Sequence, residues 1–265
     1  MPNLTLIKLG GSVITDKTTP MALRATLLTQ LVSEISRARL VNTDQQCIVG
    51  HGQGSFAHIP AAKYQTMQGF INDESPFGMA VVQDSAAQLN RIVVKEFLDA
   101  KLPAVSLYPS NSIVTSARKM ESSFISVLEG YLHKGLFPVT CGDVLVDIKQ
   151  GCTIWSTEEV LAFFARELTA KQWKIDKIIH VVEVDGFYDI NKNVVNEISA
   201  KNWHTLKSAL TATKGTDVTG GMGLKVEESL ALAKLGISSY IISGLKEDNL
   251  FNLLTGKSWV GTRIV

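Results

Sequence analysis

The sequence predicts an α/β fold, a three-layer sandwich in which helices cover both faces of a central, mainly parallel sheet. Leu4–Leu9 is an apolar run that ends at Gly10-Gly11 and precedes Met21–Leu40, where apolar residues recur at helical spacing. The same order of strand, glycine loop and helix starts again at Cys47–Gly50, and strands then alternate with helices along the chain. Such alternation is typical of parallel strands joined by crossover helices.

The remaining elements are predicted from apolar periodicity and from glycine and proline breaks. The predicted helices are Phe77–Ala100, Ser123–His133, Glu159–Leu168, Trp203–Leu210, Leu224–Leu235 and Asp248–Leu254. The predicted strands are Ala104–Tyr108, Phe137–Thr140, a hairpin of Val144–Asp147 with Thr153–Ser156, Lys177–Glu183, a short strand near Val194, and Ser239–Ser243. The softest boundary lies at 170–176, which predicts one continuous domain with lobes 1–170 and 171–265.

The overall charge excludes a global field that attracts nucleic acid or an anionic membrane. The chain has 26 Lys+Arg against 25 Asp+Glu, a net charge of +1, so any anion site must be local. The three cysteines, Cys47, Cys141 and Cys152, lack the spacing of a zinc site and indicate buried thiols in a reducing compartment. Without a signal-peptide pattern or an apolar run long enough for a membrane span, a cytoplasmic protein is expected.

The first glycine loop carries candidate phosphate ligands. Lys8, Gly10-Gly11 and Ser12 lie where the first strand ends, the usual position of a ligand crevice in an α/β sheet. Glycines let backbone N–H groups approach phosphate oxygens, and Lys8 adds a positive charge. Lys17 could help to neutralise a transferring phosphoryl group. The alternative is a tight turn followed by a solvated surface lysine.

The second glycine loop, His51–His58, again follows an apolar strand directly. Its small residues leave the backbone unobstructed, and His58 places a hydrogen-bond donor beside the turn. The alternative for His58 is a histidine whose hydrogen bonds are satisfied by the following helix. The other histidines are interpreted as structural or surface residues; they are His51, His133, His180 and His204.

The third glycine segment, Asp217–Lys225, opens a predicted helix. The free N–H groups of the first turn, the glycines and Lys225 make a further candidate anion site. The sequence contains no Gly-x-x-x-x-Gly-Lys-Ser/Thr, and the segment after Gly50 only imitates the start of a Gly-x-Gly-x-x-Gly. A Walker A site and a dinucleotide site are therefore disfavoured.

Acidic residues near strand ends and helix starts form the last candidate set. They could hold Mg²⁺ or orient lysines, and no set of metal ligands is assigned among them. For Glu159 we prefer helix capping as the explanation. The set comprises Asp143, Asp147, Glu158, Glu159, Glu183, Asp185 and Asp189.

Taken in order, these segments resemble the amino acid kinase superfamily, and within it the isopentenyl phosphate kinases. The ordered set spans nearly the whole chain, and the histidine that ends the second glycine loop is the feature shared with the isopentenyl phosphate branch. The matching segments are Lys8–Lys17, His51–His58, Pro103–Ser110, Pro138–Asp147, Val184–Gly186 and Asp217–Met222.

The resemblance implies an amino acid kinase-like fold with the acceptor bound by residues 1–170 and ATP by residues 171–265. It also implies Mg²⁺, a small-molecule phosphate acceptor and a homodimer. The implied catalytic residues are Lys8, Lys17 and Glu158, and the implied acceptor ligands are Gln53, Gly54, His58 and Thr157. The implied nucleotide ligands are Lys8, Gly10, Gly11, Ser12, Gly54, Glu183, Asp185, Gly186, Gly221 and Lys225.

The activity that the resemblance implies is transfer of the γ-phosphoryl group of ATP to isopentenyl phosphate, giving isopentenyl diphosphate. Alternatives are a kinase of another small phosphate or phosphonate such as fosfomycin, and a non-catalytic nucleotide-binding module. Apolar residues after His58 form either a slot for the acceptor's tail or ordinary core. They are Tyr64, Met67, Phe70, Ile71, Phe77, Met79 and Val82.

Two positions depart from the family pattern. Gln53 replaces the usual third glycine of the second loop, so its side chain could crowd the acceptor phosphate or add a donor to it. The segment 156–159 reads Ser-Thr-Glu-Glu where the family has Ser-Gly-Asp-Asp. Glu158 is one methylene longer than the acid that orients the lysines, which puts the geometry of catalysis in question.

Overall fold

The computed structural model describes residues 3–16, 18–212 and 218–265, with side chains for 3–16, 18–207 and 221–265. The strands are β1 (Leu4–Leu9), β2 (Gln46–His51), β3 (Ala104–Ser106), β4 (Ile113–Ser116), β5 (Lys119–Ser123), β6 (Phe137–Cys141), β7 (Asp143–Asp147), β8 (Gly151–Trp155), β9 (Ile175–Val182), β10 (Glu197–Ile198), β11 (Ser238–Ser243) and β12 (Gly261–Ile264). The helices are α1 (Gly11–Ile14), α2 (Ala25–Val41), α3 (Gly54–Lys63), α4 (Ser75–Asp99), α5 (Ser126–His133), α6 (Thr157–Ala170), α7 (Trp203–Ala212), α8 (Val218–Ala233) and α9 (Asn249–Thr255).

The main sheet has eight strands in the order β10-β12-β11-β9-β1-β2-β6-β3. All neighbours are parallel except β11 and β12, so the predicted mainly parallel sheet is confirmed. The pair β1–β9 joins strands from the two predicted lobes within one continuous sheet. A second sheet of four strands, β5-β4-β7-β8, contains the predicted hairpin as β7 and β8.

Helices pack on both faces of the main sheet, and β1 is therefore buried along its whole length. Ile7 and Leu9 belong to the apolar cluster formed with α2, α4 and α9, whereas Leu6 belongs to the cluster formed with α5 and α6. Side chains alternate along a strand, so Lys8 points to the same face as Leu6. This alternation directs the only charged residue of β1 towards α6 and α8.

Several elements differ from the prediction. Helix α3 begins at Gly54, inside the second glycine loop, so His58 lies on a helix rather than in a loop. Helix α8 begins at Val218 instead of Leu224, so it includes glycines of the third glycine segment even though glycine disfavours helix interiors. Near Val194 only an isolated bridge to Tyr188 forms. None of the helices in the described part of the chain is both long and apolar enough to cross a bilayer.

Candidate active site

The first two glycine loops lie side by side because β1 and β2 are parallel neighbours whose last residues, Leu9 and His51, are in register. A Cβ atom on Gly11 would stand 2.6 Å from the backbone nitrogen of Gly54. A Cβ atom on Gly52 would stand 2.6 Å from the nitrogen of Gly11. The two loops are thus in direct backbone contact, which only glycine allows.

Lys8 and Lys225 meet at a single carboxylate oxygen. The Nζ atom of Lys8 on β1 donates to Oε1 of Glu158 at 2.7 Å, and Nζ of Lys225 on α8 donates to the same oxygen. Both lysines are buried. The sequence places these three residues far apart, and the fold brings them together at the carboxyl end of β1. Lys17, the third predicted lysine, lies outside the described residues.

The start of α6 fixes the position of Glu158. The Ser156 hydroxyl accepts a hydrogen bond from the backbone N–H of Glu159, and the Glu159 carboxylate accepts one from the backbone N–H of Ser156. This capping box confirms the capping interpretation of Glu159. Thr157 donates its hydroxyl proton to the His51 carbonyl at 2.7 Å and accepts from the Gly142 N–H at 2.8 Å.

Gln53 ties the second glycine loop to the turn between β6 and β7. Its side chain is buried, and Nε2 donates to the carbonyl of Gly142 at 2.7 Å. Where the family has a third glycine, this chain therefore has a side-chain amide that hydrogen-bonds within the protein.

A cleft of about 670 Å³ opens beside these loops. Its polar and glycine lining residues are Lys8, Gly11, Ser12, Gly52, Gln53, Gly54, Ser55, His58, Gly142, Asp143, Ser156, Thr157, Glu158, Glu159 and Gly221. Its apolar lining residues are Ala57, Ile59, Ala61, Met67, Val82, Ala86, Val144, Ile154 and Trp155, and most of them pack in one cluster. One cavity thus joins Lys8, Glu158 and the glycine loops to a group of apolar side chains.

The apolar wall differs from the slot that the sequence suggested. Met67 and Val82 line the cleft, as expected if these residues form a slot. Phe77 instead is 64% exposed and packs edge-on against Tyr64. Phe70 packs against Gly151. Alanines on α3 and α4 and residues of β7 and β8 form the rest of the wall, which periodicity within one segment could not indicate.

Proteins of known function identify the family. The model of the amino acid kinase family matches residues 3–243, which include both lysines and Glu158. The chain belongs to the amino acid kinase family. It is 30% identical to the isopentenyl phosphate kinase of Methanocaldococcus jannaschii over 262 residues, 96% of each chain. It is 32% identical to that of Methanothermobacter thermautotrophicus over 273 residues, 98% of each chain.

The fold of this amino acid kinase matches solved structures. An X-ray structure of isopentenyl phosphate kinase superposes with a TM-score of 0.82 at 29% identity, covering 99% of this chain and 100% of the other. The three-layer architecture expected from the resemblance is thereby confirmed.

Electrostatics in the lysine cluster favours a charged Glu158. Burial alone would raise the pKa of its carboxyl group, but Lys8 and Lys225 together hold that pKa well below its usual range. Burial and the charge of Lys8 lower the pKa of Lys225 to about 8, against the attraction of Glu158. Two cations thus share one anion, and the cluster keeps a surplus positive charge for a phosphate group.

Three predicted nucleotide ligands follow β9 and are not among the residues that line the cleft. Glu183 accepts a hydrogen bond from Nη1 of Arg24 at 2.8 Å, and Asp185 pairs with Lys246 at 3.1 Å. Gly186 is buried, and a Cβ atom there would stand 2.6 Å from Oγ1 of Thr262. Their predicted roles towards the nucleotide stay predictions.

The acidic groups near the cleft are already engaged. Glu158 is bound by two lysines, and Asp143 accepts from the backbone N–H groups of Ser110 and Val144 at 2.9 and 2.8 Å. Among the side chains described, those of residues 3–16, 18–207 and 221–265, no three from His, Cys, Asp or Glu are grouped to hold a metal ion. These residues do not fit a protein-held Mg²⁺, which is compatible with an ion carried by nucleotide phosphates and water.

Sequence reasoning missed the buried polar residues behind the loops. His180 lies beside Lys8 in the sheet, and burial together with the charge of Lys225 lowers its pKa to about 3. His51 is buried against Asn90 of α4. Both were expected to be structural or surface histidines, and only the strand register reveals their contacts with the site.

Proposed function

We propose that this chain is an ATP-dependent kinase that transfers the γ-phosphoryl group to isopentenyl phosphate, giving isopentenyl diphosphate and ADP. The observation that carries the proposal is the Lys8–Glu158–Lys225 cluster, of which Lys8 and Glu158 line a cleft that also has a group of apolar lining residues. An acceptor with a phosphate head and a short hydrocarbon tail matches both kinds of lining.

The reaction requires little covalent chemistry from the side chains of the protein. A phosphate monoester is already an anionic nucleophile, so no strong general base is needed, and catalysis rests on in-line positioning and charge neutralisation. Lys8 and Lys225 supply positive charge to the transferring group, and Glu158 aligns both ammonium groups. Backbone N–H groups of the adjacent glycine loops orient the phosphates.

The acceptor end is assigned to α3 and its surroundings. His58 lies on the cleft wall near Gly54, where α3 begins, so a phosphate there would meet a helix N-terminus and an imidazole. Ala57, Ala61 and Ala86 leave room for the tail. The Thr157 hydroxyl is engaged by two backbone groups, so its part in acceptor binding is to hold the cleft floor.

The proposal includes Mg²⁺ delivered with ATP, a homodimer and a cytoplasmic location, in keeping with the family resemblance. We assign the metal to the nucleotide phosphates because the acidic side chains beside the cleft are occupied by lysines and backbone donors. Light scattering of the purified protein tests the dimer directly.

An ADP-release assay tests the activity. The purified chain is incubated with ATP and Mg²⁺ and with isopentenyl phosphate, dimethylallyl phosphate or fosfomycin in turn. We expect the highest kcat/KM with isopentenyl phosphate and a loss of about 3–4 kcal/mol of transition-state stabilisation in Lys8→Ala. Lys95→Ala, which removes an exposed cation paired with Asp99 at the end of α4, is the matched control.

Each other outcome has a distinct meaning. Preference for fosfomycin would indicate that the acceptor is a phosphonate rather than a phosphate monoester. ATP binding without turnover on any acceptor would favour a non-catalytic nucleotide-binding module.

A further inference from the structure

The imidazole of His51 is held in one orientation between α4 and the second glycine loop. The Nδ2 atom of Asn90 lies 3.1 Å from Nε2 of His51 and 3.4 Å from the carbonyl oxygen of Val139. Since only the amide nitrogen can donate to that carbonyl, Asn90 also donates to Nε2, which must be an acceptor. The ring proton therefore resides on Nδ1, which lies 3.3 Å from the carbonyl oxygen of Gly52.

The surroundings keep this imidazole neutral. His51 is fully buried, and burial lowers its pKa to about 4, so it carries no charge at neutral pH. Cys141, its titratable neighbour on β6, is neutral as well because burial raises the pKa of that thiol well above its usual range. On β1 the neighbour is Leu9, and on α4 it is Asn90, neither of which titrates.

Hydrogen bonds extend from His51 around the loop. Its carbonyl accepts the Thr157 hydroxyl, which in turn accepts from the N–H of Gly142. The carbonyl of Gly142 accepts from Gln53, the residue that follows Gly52. The second glycine loop is thus tied on one side by the imidazole and on the other by the Gln53 amide.

The position of Gly52 matters because it touches the first glycine loop. A Cβ atom on Gly52 would lie 2.6 Å from the nitrogen and 3.0 Å from the Cα of Gly11, so the two backbones are at contact distance. A carbonyl released at Gly52 would shift this contact and, with it, the spacing of the two loops. Phosphoryl transfer is sensitive to such shifts, since a displacement of about 1 Å can cost about a hundredfold in rate.

We propose that His51 is a positioning residue whose Nδ1–H holds the Gly52 carbonyl and so sets the distance between donor and acceptor phosphates. The inference rests on the proposed kinase function. A histidine that only fills the core would contribute to stability alone, and its two ring nitrogens would be interchangeable in their effect on turnover.

Two substitutions separate the ring nitrogens. In His51→Asn the short amide reproduces the Nδ1 donor to Gly52 and loses the contact with Asn90. In His51→Gln the longer amide reproduces the Nε2 acceptor for Asn90 and loses the donor to Gly52. We expect both to lower the melting temperature, and kcat of His51→Gln to fall at least about tenfold below that of His51→Asn with little change in the KM for ATP. Equal kcat values, or kcat that follows the melting temperature, would overturn the proposal.

Asn90→Asp supplies a second, near-isosteric variant. The carboxylate accepts from Nε2, so the imidazole has Nδ1–H only while it is protonated, and kcat should fall as pH rises through the new pKa of His51. The wild type lacks this pH limb because its neutral ring already carries the Nδ1 proton. An Asn90→Asp profile with the shape of the wild-type profile would contradict the role.

A measurement without turnover separates this inference from the proposed function. Long-range ¹H–¹⁵N correlation of the ¹⁵N-histidine-labelled wild type reports which ring nitrogen of His51 is protonated, with His51→Asn identifying the signal. We expect a protonated Nδ1 and an unprotonated Nε2 at pH 7. The opposite tautomer overturns the proposal even if the kinase assay succeeds, and failure of the assay with every acceptor leaves this readout intact.

Discussion

At the residue scale, Glu158 stands where the family pattern has an aspartate, and one of its carboxylate oxygens contacts both Lys8 and Lys225. We infer that the extra methylene brings this oxygen within reach of both ammonium groups.

This geometry predicts that the family's own residue is harmful here. Glu158→Asp would withdraw the carboxylate by one methylene and leave one lysine unaligned, so kcat should fall by about tenfold to a hundredfold. Glu167→Asp, which makes the same change near the other end of α6 and outside the cleft lining, is the control and should retain kcat. Steady-state kinetics check both, and unchanged kcat in Glu158→Asp would show that alignment by this carboxylate is unimportant.

A second residue-scale prediction concerns the alkaline limb of activity. Because the pKa of Lys225 is lowered to about 8, its ammonium group is lost at a lower pH than that of an ordinary lysine. The proposed role needs the charged form, so kcat/KM for ATP should decline above about pH 8. Lys225→Arg keeps its charge and should lack this decline, although its kcat is lower. The same limb in Lys225→Arg would assign it to another group.

At the element scale, a buried carboxylate from one helix caps another. Glu34 of α2 is 1% exposed, and it accepts from the N–H of Asp248 at 3.1 Å and of Phe251 at 3.0 Å at the start of α9. Asp248 itself makes no capping hydrogen bond through its side chain in the described structure. The cap therefore comes from a residue more than 200 positions earlier.

Removing this cap should destabilise the protein without touching the cleft. Glu34→Ala leaves two part-buried N–H groups without this acceptor and is expected to cost about 1–3 kcal/mol of unfolding free energy. Glu74→Ala is the matched control, since Glu74 is exposed at the start of α4 and caps nothing through its side chain in the described structure. Urea denaturation measures both; equal losses would mean that the contact from α2 is not stabilising.

Elements with strong apolar periodicity were predictable, and weakly patterned ones were not. Strand β1 and helix α4 were located within about two residues because their apolar spacing and buried faces agree. Strand β5 was missed because all five of its residues are exposed and four of them are polar, and β12 because it has only four residues and begins with a glycine. Their pairing depends on partners distant in sequence.

At the scale of the whole molecule, buried neutral histidines should make the fold sensitive to acid. The pKa values of His51 and His180 are lowered by burial to about 4 and about 3, below the unfolded value near 6.5. The unfolded chain then binds more protons between those limits, so stability falls as pH drops below about 6.5.

Thermal unfolding between pH 7 and pH 5 checks this expectation. The melting temperature should fall with pH in the wild type and fall less in His180→Leu, which removes one of the two groups. His204→Leu, at an exposed position on α7, is the control and should keep the wild-type slope. Identical slopes in the wild type and His180→Leu would refute the contribution of His180.

The site was predictable only as far as its motifs reach. The resemblance indicated Glu158 as the acid that orients the catalytic lysines Lys8 and Lys17, and it placed Lys225 near the nucleotide. The structure shows that Lys8 and Lys225 contact the same oxygen of Glu158. Two contacts could not be predicted: the hydrogen bond from Gln53 to the Gly142 carbonyl, and the contact of the His51 ring with the Gly52 carbonyl. Both depend on strand register and on helices that are remote in sequence.

The central claim is that one cleft holds both phosphates in line between the glycine loops and the lysine cluster. A crystal structure of the ternary complex with a non-hydrolysable ATP analogue and isopentenyl phosphate tests it most directly. We expect the γ-phosphate beside Lys8 and Lys225 and the acceptor oxygen about 3–3.5 Å from the γ-phosphorus. Two ligands in separate cavities, or a γ-phosphate remote from both lysines, would contradict the claim.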